Sequence, residues 1–132
     1  MYRRLAYVSR LQENLAVAKI PRIVALCRAR NVRDDITGVL AFTGHDFAQL
    51  IEGPRDAMDR LWSRIRADGR HHDIAVLFDE PAEGRWCGDW RIGFPADPAV
   101  GESIAALRNA RRPFGATAKA NFLRLLNDCD PE

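Results

Sequence analysis

Residues 35–54 read Asp-Ile-Thr-Gly-Val-Leu-Ala-Phe-Thr-Gly-His-Asp-Phe-Ala-Gln-Leu-Ile-Glu-Gly-Pro. The first nine are β-branched and apolar, which predicts a strand over 35–43. Gly44-His45-Asp46 is a turn signal, and 47–52 form a second strand, so the pair is a hairpin. Gly53-Pro54 ends the hairpin and opens a helix. In that helix Met58, Leu61, Trp62 and Ile65 fall at i, i+3, i+4 and i+7, an apolar stripe, and Gly69 is expected to close it.

The pattern extends both ways from the hairpin. Upstream, Leu5, Tyr7 and Ser9 share one side of a strand over 2–10, and Arg4, Ala6 and Val8 the other. Pro21 suits a first helical turn. Ile20, Val24, Cys27 and Asn31 then share one helical face, with the end expected near Asn31. Downstream, 73–78 reads as a strand. Residues 86–94 alternate, with Trp86, Gly88, Trp90, Ile92 and Phe94 on one side, and predict another. The order is βαββαββ, an α+β, ferredoxin-like layer: a five-stranded sheet with two helices on one face. Residues 99–110 and 116–127 predict two C-terminal helices. These would cap the other face, where Val8, Val39 or Leu40 need cover. The division is therefore 1–95 for the main domain and 96–132 for a helical cap or tail.

Composition sets the outer limits. A chain of 132 residues, 47% hydrophobic and 29% charged, is one globular domain. No apolar run approaches the roughly 20 residues of a membrane helix. A net charge of +2 is too small to imply a nucleic-acid binder by itself, and the aromatic-rich strand motif of an RNA-recognition module is absent. Cys27, Cys87 and Cys129 are odd in number and far apart, which suits a reducing cytoplasm better than a disulfide framework. His71 and His72 are adjacent on a strand and point to opposite faces, so no metal site is expected there. No nucleophile–base constellation or phosphate-binding loop is visible, and the chain does not read as an enzyme.

Three neutral polar groups stand out instead. Gln49 shares a strand face with Phe47 and Ile51. Tyr7 lies on the Leu5/Ser9 face, and Asn31 ends the face begun by Val24. Each alone has a structural explanation: an edge amide, a hydroxyl on a backbone carbonyl, a helix cap. Together they point into the space between sheet and helices. They suit holding a planar polar ligand better than hydrolysing one.

Leu5-Ala6-Tyr7-Val8-Ser9, Asn31 with Asp35-Ile36-Thr37-Gly38, Phe47 through Gly53, Asp68-Gly69-Arg70-His71-His72, and Trp90 occur in an order that resembles the BLUF family of flavin-using blue-light sensors. The resemblance spans about residues 2–94. It implies a non-covalently bound flavin, FAD with FMN as the alternative, between the two main helices. It makes Tyr7 and Gln49 the photoactive pair and gives Asn31 to the flavin's pyrimidine edge. Arg30, Arg64, Asp68, Arg70 and His71 become pocket or rim residues, with Arg64 and Asp68 an i, i+4 pair. On illumination, Tyr7 would pass and recover an electron and a proton. Gln49 would be left in the other hydrogen-bond arrangement, giving a small, dark-reversible red shift. Trp90 and Ile92 would relay the signal, with Ile92 standing where the family commonly has Met. Cys27 stands where a small hydroxyl residue is common, which predicts altered spectral tuning or dark recovery. The expected output is an unidentified downstream protein, or a change in assembly as a homodimer or higher oligomer. A light-insensitive ferredoxin-like interaction module is the alternative from another class. A small thiol-dependent or acyl-phosphate-type enzyme is less suited to these residues.

Overall fold

A computed structural model describes residues 1–42, 44–88, 94–95 and 129–130. Its elements are β1 (Tyr2–Leu11), α1 (Ile20–Asp34), β2 (Thr37–Phe42), β3 (Asp46–Pro54), α2 (Arg55–Ala67), β4 (His71–Ala82), β5 (Phe94–Pro95) and β6 (Cys129–Asp130). The main sheet is antiparallel and ordered β2-β3-β1-β4, so β1 and β3 are central. Among the described residues, no helix is long and apolar enough to cross a membrane.

The hairpin forms as its turn residues predict, with Leu40 opposite Gln49 and Phe42 opposite Phe47. Strand parity divides the core in two. On the helix side, Leu5, Tyr7 and Ile51 pack under Met58, Leu61 and Trp62 of α2, and Leu40 packs under Ile20 and Val24 of α1. On the other side, Ala6, Val8, Val39, Ala48 and Leu50 form a second layer with Leu77, Phe78 and Cys87. Val39 thus lies on the far face as expected, whereas Leu40 faces α1. Leu77 and Phe78 are neighbours in sequence yet both join the far layer. The β1–β4 register shifts between Ala6 and Tyr7, and such a bulge resets the alternation.

Several boundaries differ from expectation. Helix α1 runs past Asn31 to Asp34, because Asn31 is buried inside the helix rather than capping it. The stop is Asp35, which takes the left-handed conformation (φ 58°) that Asp tolerates better than most residues. Helix α2 ends at Ala67 with Asp68 extended at its C-cap, so Gly69 does not close it through a positive φ. Strand β4 extends beyond 73–78 at both ends.

The strand expected over 86–94 falls only partly on described residues. Trp86–Gly88 form a bend and turn rather than its first residues, and among the described residues the main sheet has four strands. Trp86 and Cys87 both pack against the far layer from this irregular segment. Phe94–Pro95 does form a short strand, but it pairs with Cys129–Asp130 in a separate two-stranded sheet. Residues 89–93, with Trp90 and Ile92, lie outside the described residues, as do the helices expected over 99–110 and 116–127.

Candidate functional site

Tyr7 and Gln49 are direct partners across the two central strands. Both side chains project from the helix-side face, so the pairing register alone brings hydroxyl and amide together. The Tyr7 hydroxyl donates to Gln49 Oε1 at 2.5 Å. Tyr7 is 4% exposed. Its pKa is raised far above the usual phenol value, chiefly by burial and then by Cys27 and Asp68. The hydroxyl is therefore protonated across the physiological range, and it is a donor. With its oxygen accepting from Tyr7, the Gln49 amide keeps two N–H donors for other partners. The Tyr7 ring also leans on Trp62, with centroids 5.5 Å apart, and meets His71 edge-on at 6.1 Å.

This pair lies in the wall of a cavity that opens between the sheet and the two helices. Helix α1 contributes Ile20, Ile23, Val24 and Cys27, the hairpin contributes Leu40 and Phe47, and Ile65 comes from α2. Polar groups gather at one end: Asp68, Arg70 and His71. The walls are apolar, with a few convergent hydrogen-bonding groups, which suits a flat heteroaromatic ring carrying polar edges.

The rim is built by short-range pairing. Arg70 Nε donates to Asp68 Oδ1 at 2.9 Å and its Nη2 to Oδ2 at 2.6 Å, while the Arg70 backbone N–H donates to Oδ1 at 3.0 Å. Burial opposes ionisation of Asp68, but these bonds and the Arg70 charge outweigh it and hold the carboxyl below its ordinary range. Burial pushes the Cys27 thiol up, against the nearby arginines, so at neutral pH it is a thiol rather than a thiolate. His71 spans Ser9 Oγ through Nδ1 and the Ile65 carbonyl through Nε2, both at 2.7 Å. A carbonyl only accepts, so Nε2 carries the proton. In the neutral ring Nδ1 then accepts from Ser9.

Of the residues expected here, Tyr7, Gln49, Asp68, Arg70 and His71 wall the cavity, and Cys27 joins them. Asn31, 3% exposed, lies on α1 one turn beyond Cys27 and does not line the cavity wall; nor do Arg30 and Arg64. The expected Arg64–Asp68 pair does not form. Asp68 is taken by Arg70, and Arg64 Nη2 lies 3.6 Å from Asp34 Oδ2. Arg64 Nε and Nη2 are nevertheless buried with no hydrogen-bond partner, an arrangement that suits an anionic or carbonyl-bearing group at this edge. Ser9, Trp62 and Ile65 were not legible as site residues. Ser9 shares the Tyr7 face, so parity was a signal for it, while Trp62 reads as ordinary core.

Comparison with known proteins gives a consistent match. The family model described as BLUF, sensors of blue-light using FAD, matches residues 2–93. The blue light- and temperature-regulated antirepressor BluF of Escherichia coli K12 is 35% identical over 88 residues, covering 67% of this chain and 22% of that protein. The photoactivated adenylate cyclase subunit alpha-like protein FB of Euglena gracilis is 36% identical over 84 residues, covering 64% of this chain and 8% of that protein. The matched segment is thus a small part of these curated relatives. Among solved structures, the dark state of BlrB, a BLUF protein, superposes with a TM-score of 0.77 at 33% identity over 95% of this chain and 94% of that one. The ground state of BlsA gives a TM-score of 0.79 at 24% identity over 100% and 91%, a likeness of fold.

Proposed function

Since the chain belongs to the BLUF family, the sensors of blue light that use FAD, we propose that its light response is carried by Tyr7 and Gln49. The observation that supports this most is the hydrogen bond from the buried Tyr7 hydroxyl to Gln49 Oε1 on the wall of the cavity. FAD, when bound, supplies the absorption of blue light and an acceptor for an electron.

Everything else in the switch belongs to this chain. Tyr7 holds a proton and an electron that it gives up and regains. Gln49 has a donor end and an acceptor end of nearly equal size, so turning over the amide exchanges what it offers to Tyr7 and to the cavity. Both arrangements are uncharged and nearly isosteric, so a small free-energy difference separates them and the dark state refills. The apolar walls keep water from competing for these bonds.

Asn31 is proposed to hold the pyrimidine edge. Arg30, Arg64, Asp68, Arg70 and His71 are proposed to hold the cofactor's polar tail, supported by the two buried Arg64 nitrogens that make no hydrogen bond. The tail-binding groups accommodate FAD, and FMN would use the same ring contacts. We propose residues 1–95 as the sensor and 96–132 as its helical cap, with Trp90 and Ile92 as the relay to it. The output then passes to a separate cytoplasmic protein, with self-association as a homodimer or larger assembly.

The test is a comparison of flavin-loaded parent, Tyr7→Phe and Gln49→Leu by light-minus-dark absorption and by extraction of the bound cofactor. Both variants are expected to retain flavin and lose the reversible red shift. A Gln49→Leu protein that shifts like the parent contradicts the assignment.

A further inference from the structure

Four consecutive residues, 84–87, are fastened to the face of the sheet away from the cavity. Glu52 of β3 is 0% exposed and faces Arg4 of β1 in register. Its Oε2 accepts from Arg4 Nε at 3.1 Å and from the Trp86 backbone N–H at 3.0 Å, while Oε1 accepts from the Cys87 N–H at 2.7 Å. Arg4 in turn donates Nη2 to the Gly84 carbonyl at 3.0 Å and lies 3.8 Å over the Trp86 ring. Arg85 reaches the other way. Its Nη1 donates to Thr37 Oγ1 at 2.9 Å, and its Nη2 donates to the Asp35 carbonyl at 2.8 Å and the Tyr2 hydroxyl at 3.1 Å.

Two of these anchors, Glu52 and Asp35, stand on or at the end of elements that wall the cavity. Glu52 follows Gln49 by three residues on β3, about 10 Å along the strand and on its opposite face. Asp35 caps α1, the helix that carries Cys27 and Asn31. The contact between anchors is close as well: a Cβ on Gly53 would lie 3.0 Å from the Asp35 carbonyl oxygen, so a larger residue would press β3 and the α1 end apart by a few tenths of an ångström.

We infer that Glu52 and Arg85 form a latch that delivers the rearrangement of Gln49, through β3, to the segment leaving β4 on the opposite face of the sheet. The inference rests on the reading of Gln49 as the switch. A buried carboxylate whose oxygens are both engaged tolerates only small displacements before a charge-assisted bond is lost. A shift of β3 is therefore resisted until the Trp86 and Cys87 amides let go together. That makes the latch a two-position element rather than an elastic one. Both residues act through others: they position the exit segment and touch nothing in the cavity.

Cys87 reports on the latch directly, because it is 2% exposed and its own N–H is one of the latched groups. The experiment uses the full, flavin-loaded chain. A pulse of N-ethylmaleimide in the dark and under steady blue light is followed by peptide mass spectrometry, which reads Cys87 apart from Cys27 and Cys129. In the dark, Glu52→Gln and Arg85→Ala are expected to label at Cys87 about tenfold faster than the parent, the effect of one lost charge-assisted bond, with the parent's dark absorption spectrum. Light is expected to accelerate labelling of the parent and to leave the Glu52→Gln rate unchanged. The latch is overturned if either variant keeps the parent's spectrum and the parent's labelling rate. Transmission is overturned if the parent's spectrum shifts in light while its Cys87 rate does not. A parent whose spectrum never shifts indicts the switch instead, and the dark comparison is independent of it.

Discussion

The two faces of the sheet bury polar groups in opposite ways. On the helix side, Tyr7 and Gln49 form a neutral pair in an apolar wall, and the amide has a second arrangement of similar size. On the far side, Arg4 and Glu52 form a charged pair whose atoms are engaged with one another, with residues 84–87 and, through Arg4 Nη1, with Glu80. Low surrounding polarity strengthens both sets of bonds, but to different ends. A neutral, reversible pair is suited to switching. A fully engaged ion pair is suited to holding register, since breaking it from one side strands a buried charge. Adjacent strands, β1 and β3, carry both.

The difference can be broken most sharply at Gln49. Gln49→Leu removes donor and acceptor together, and the light-induced shift is expected to vanish altogether, with flavin retention and thermal stability near the parent's. The mirror experiment is Glu52→Leu, which leaves buried Arg4 with only Glu80, 3.7 Å from its Nη1, as an acidic partner. A loss of about 3–5 kcal/mol is expected in denaturant unfolding, with Glu52→Gln costing much less. If Glu52→Leu is as stable as the parent, the far-face pair is not holding the sheet.

Smaller changes sharpen the contrast. Tyr7→Phe removes one hydroxyl and leaves the packing on Trp62, so it is expected to abolish the shift at a stability cost of about 1 kcal/mol, read by thermal unfolding. Alkaline titration probes the same group. Burial raises the folded-state pKa of Tyr7 above the 10.0 of an open phenol. The stability tied to its neutral form is thus complete below pH 10 and declines as the unfolded chain ionises above it. Unfolding curves between pH 8 and 11 should show that decline in the parent and less of it in Tyr7→Phe. Smallest is Cys27→Ser. A stronger hydrogen-bonding group replaces a protonated thiol in the cavity wall, and a change of a few-fold in dark recovery is expected with flavin still bound.

Much of the helix side was legible in the chain because it obeys simple periods. Parity put Tyr7 and Gln49 on the core faces of their strands, and the 3.6-residue repeat put Val24, Cys27 and Asn31 on one helical face. The far side was read less well. Arg4 was visible on the Ala6/Val8 face, and Glu52 stands two residues from Leu50, so both charges lie on an apolar side. Yet nothing local shows that they meet, since 48 residues separate them. Residues 86–88 misled for a related reason. Alternation of Trp86, Gly88 and Trp90 has a strand's period, but Glu52 takes the Trp86 and Cys87 amides that a neighbouring strand would have used. The Arg64–Asp68 spacing was also outcompeted, by the tighter Asp68–Arg70 pairing.

The most direct measurement is the absorption spectrum of the flavin-loaded parent recorded in darkness, under blue light, and again after darkness. A sensor working through Tyr7 and Gln49 gives a small red shift of the flavin bands that reverses in the dark and is missing in Gln49→Leu. A protein that holds flavin in this cavity but whose spectrum does not move under blue light would contradict the account.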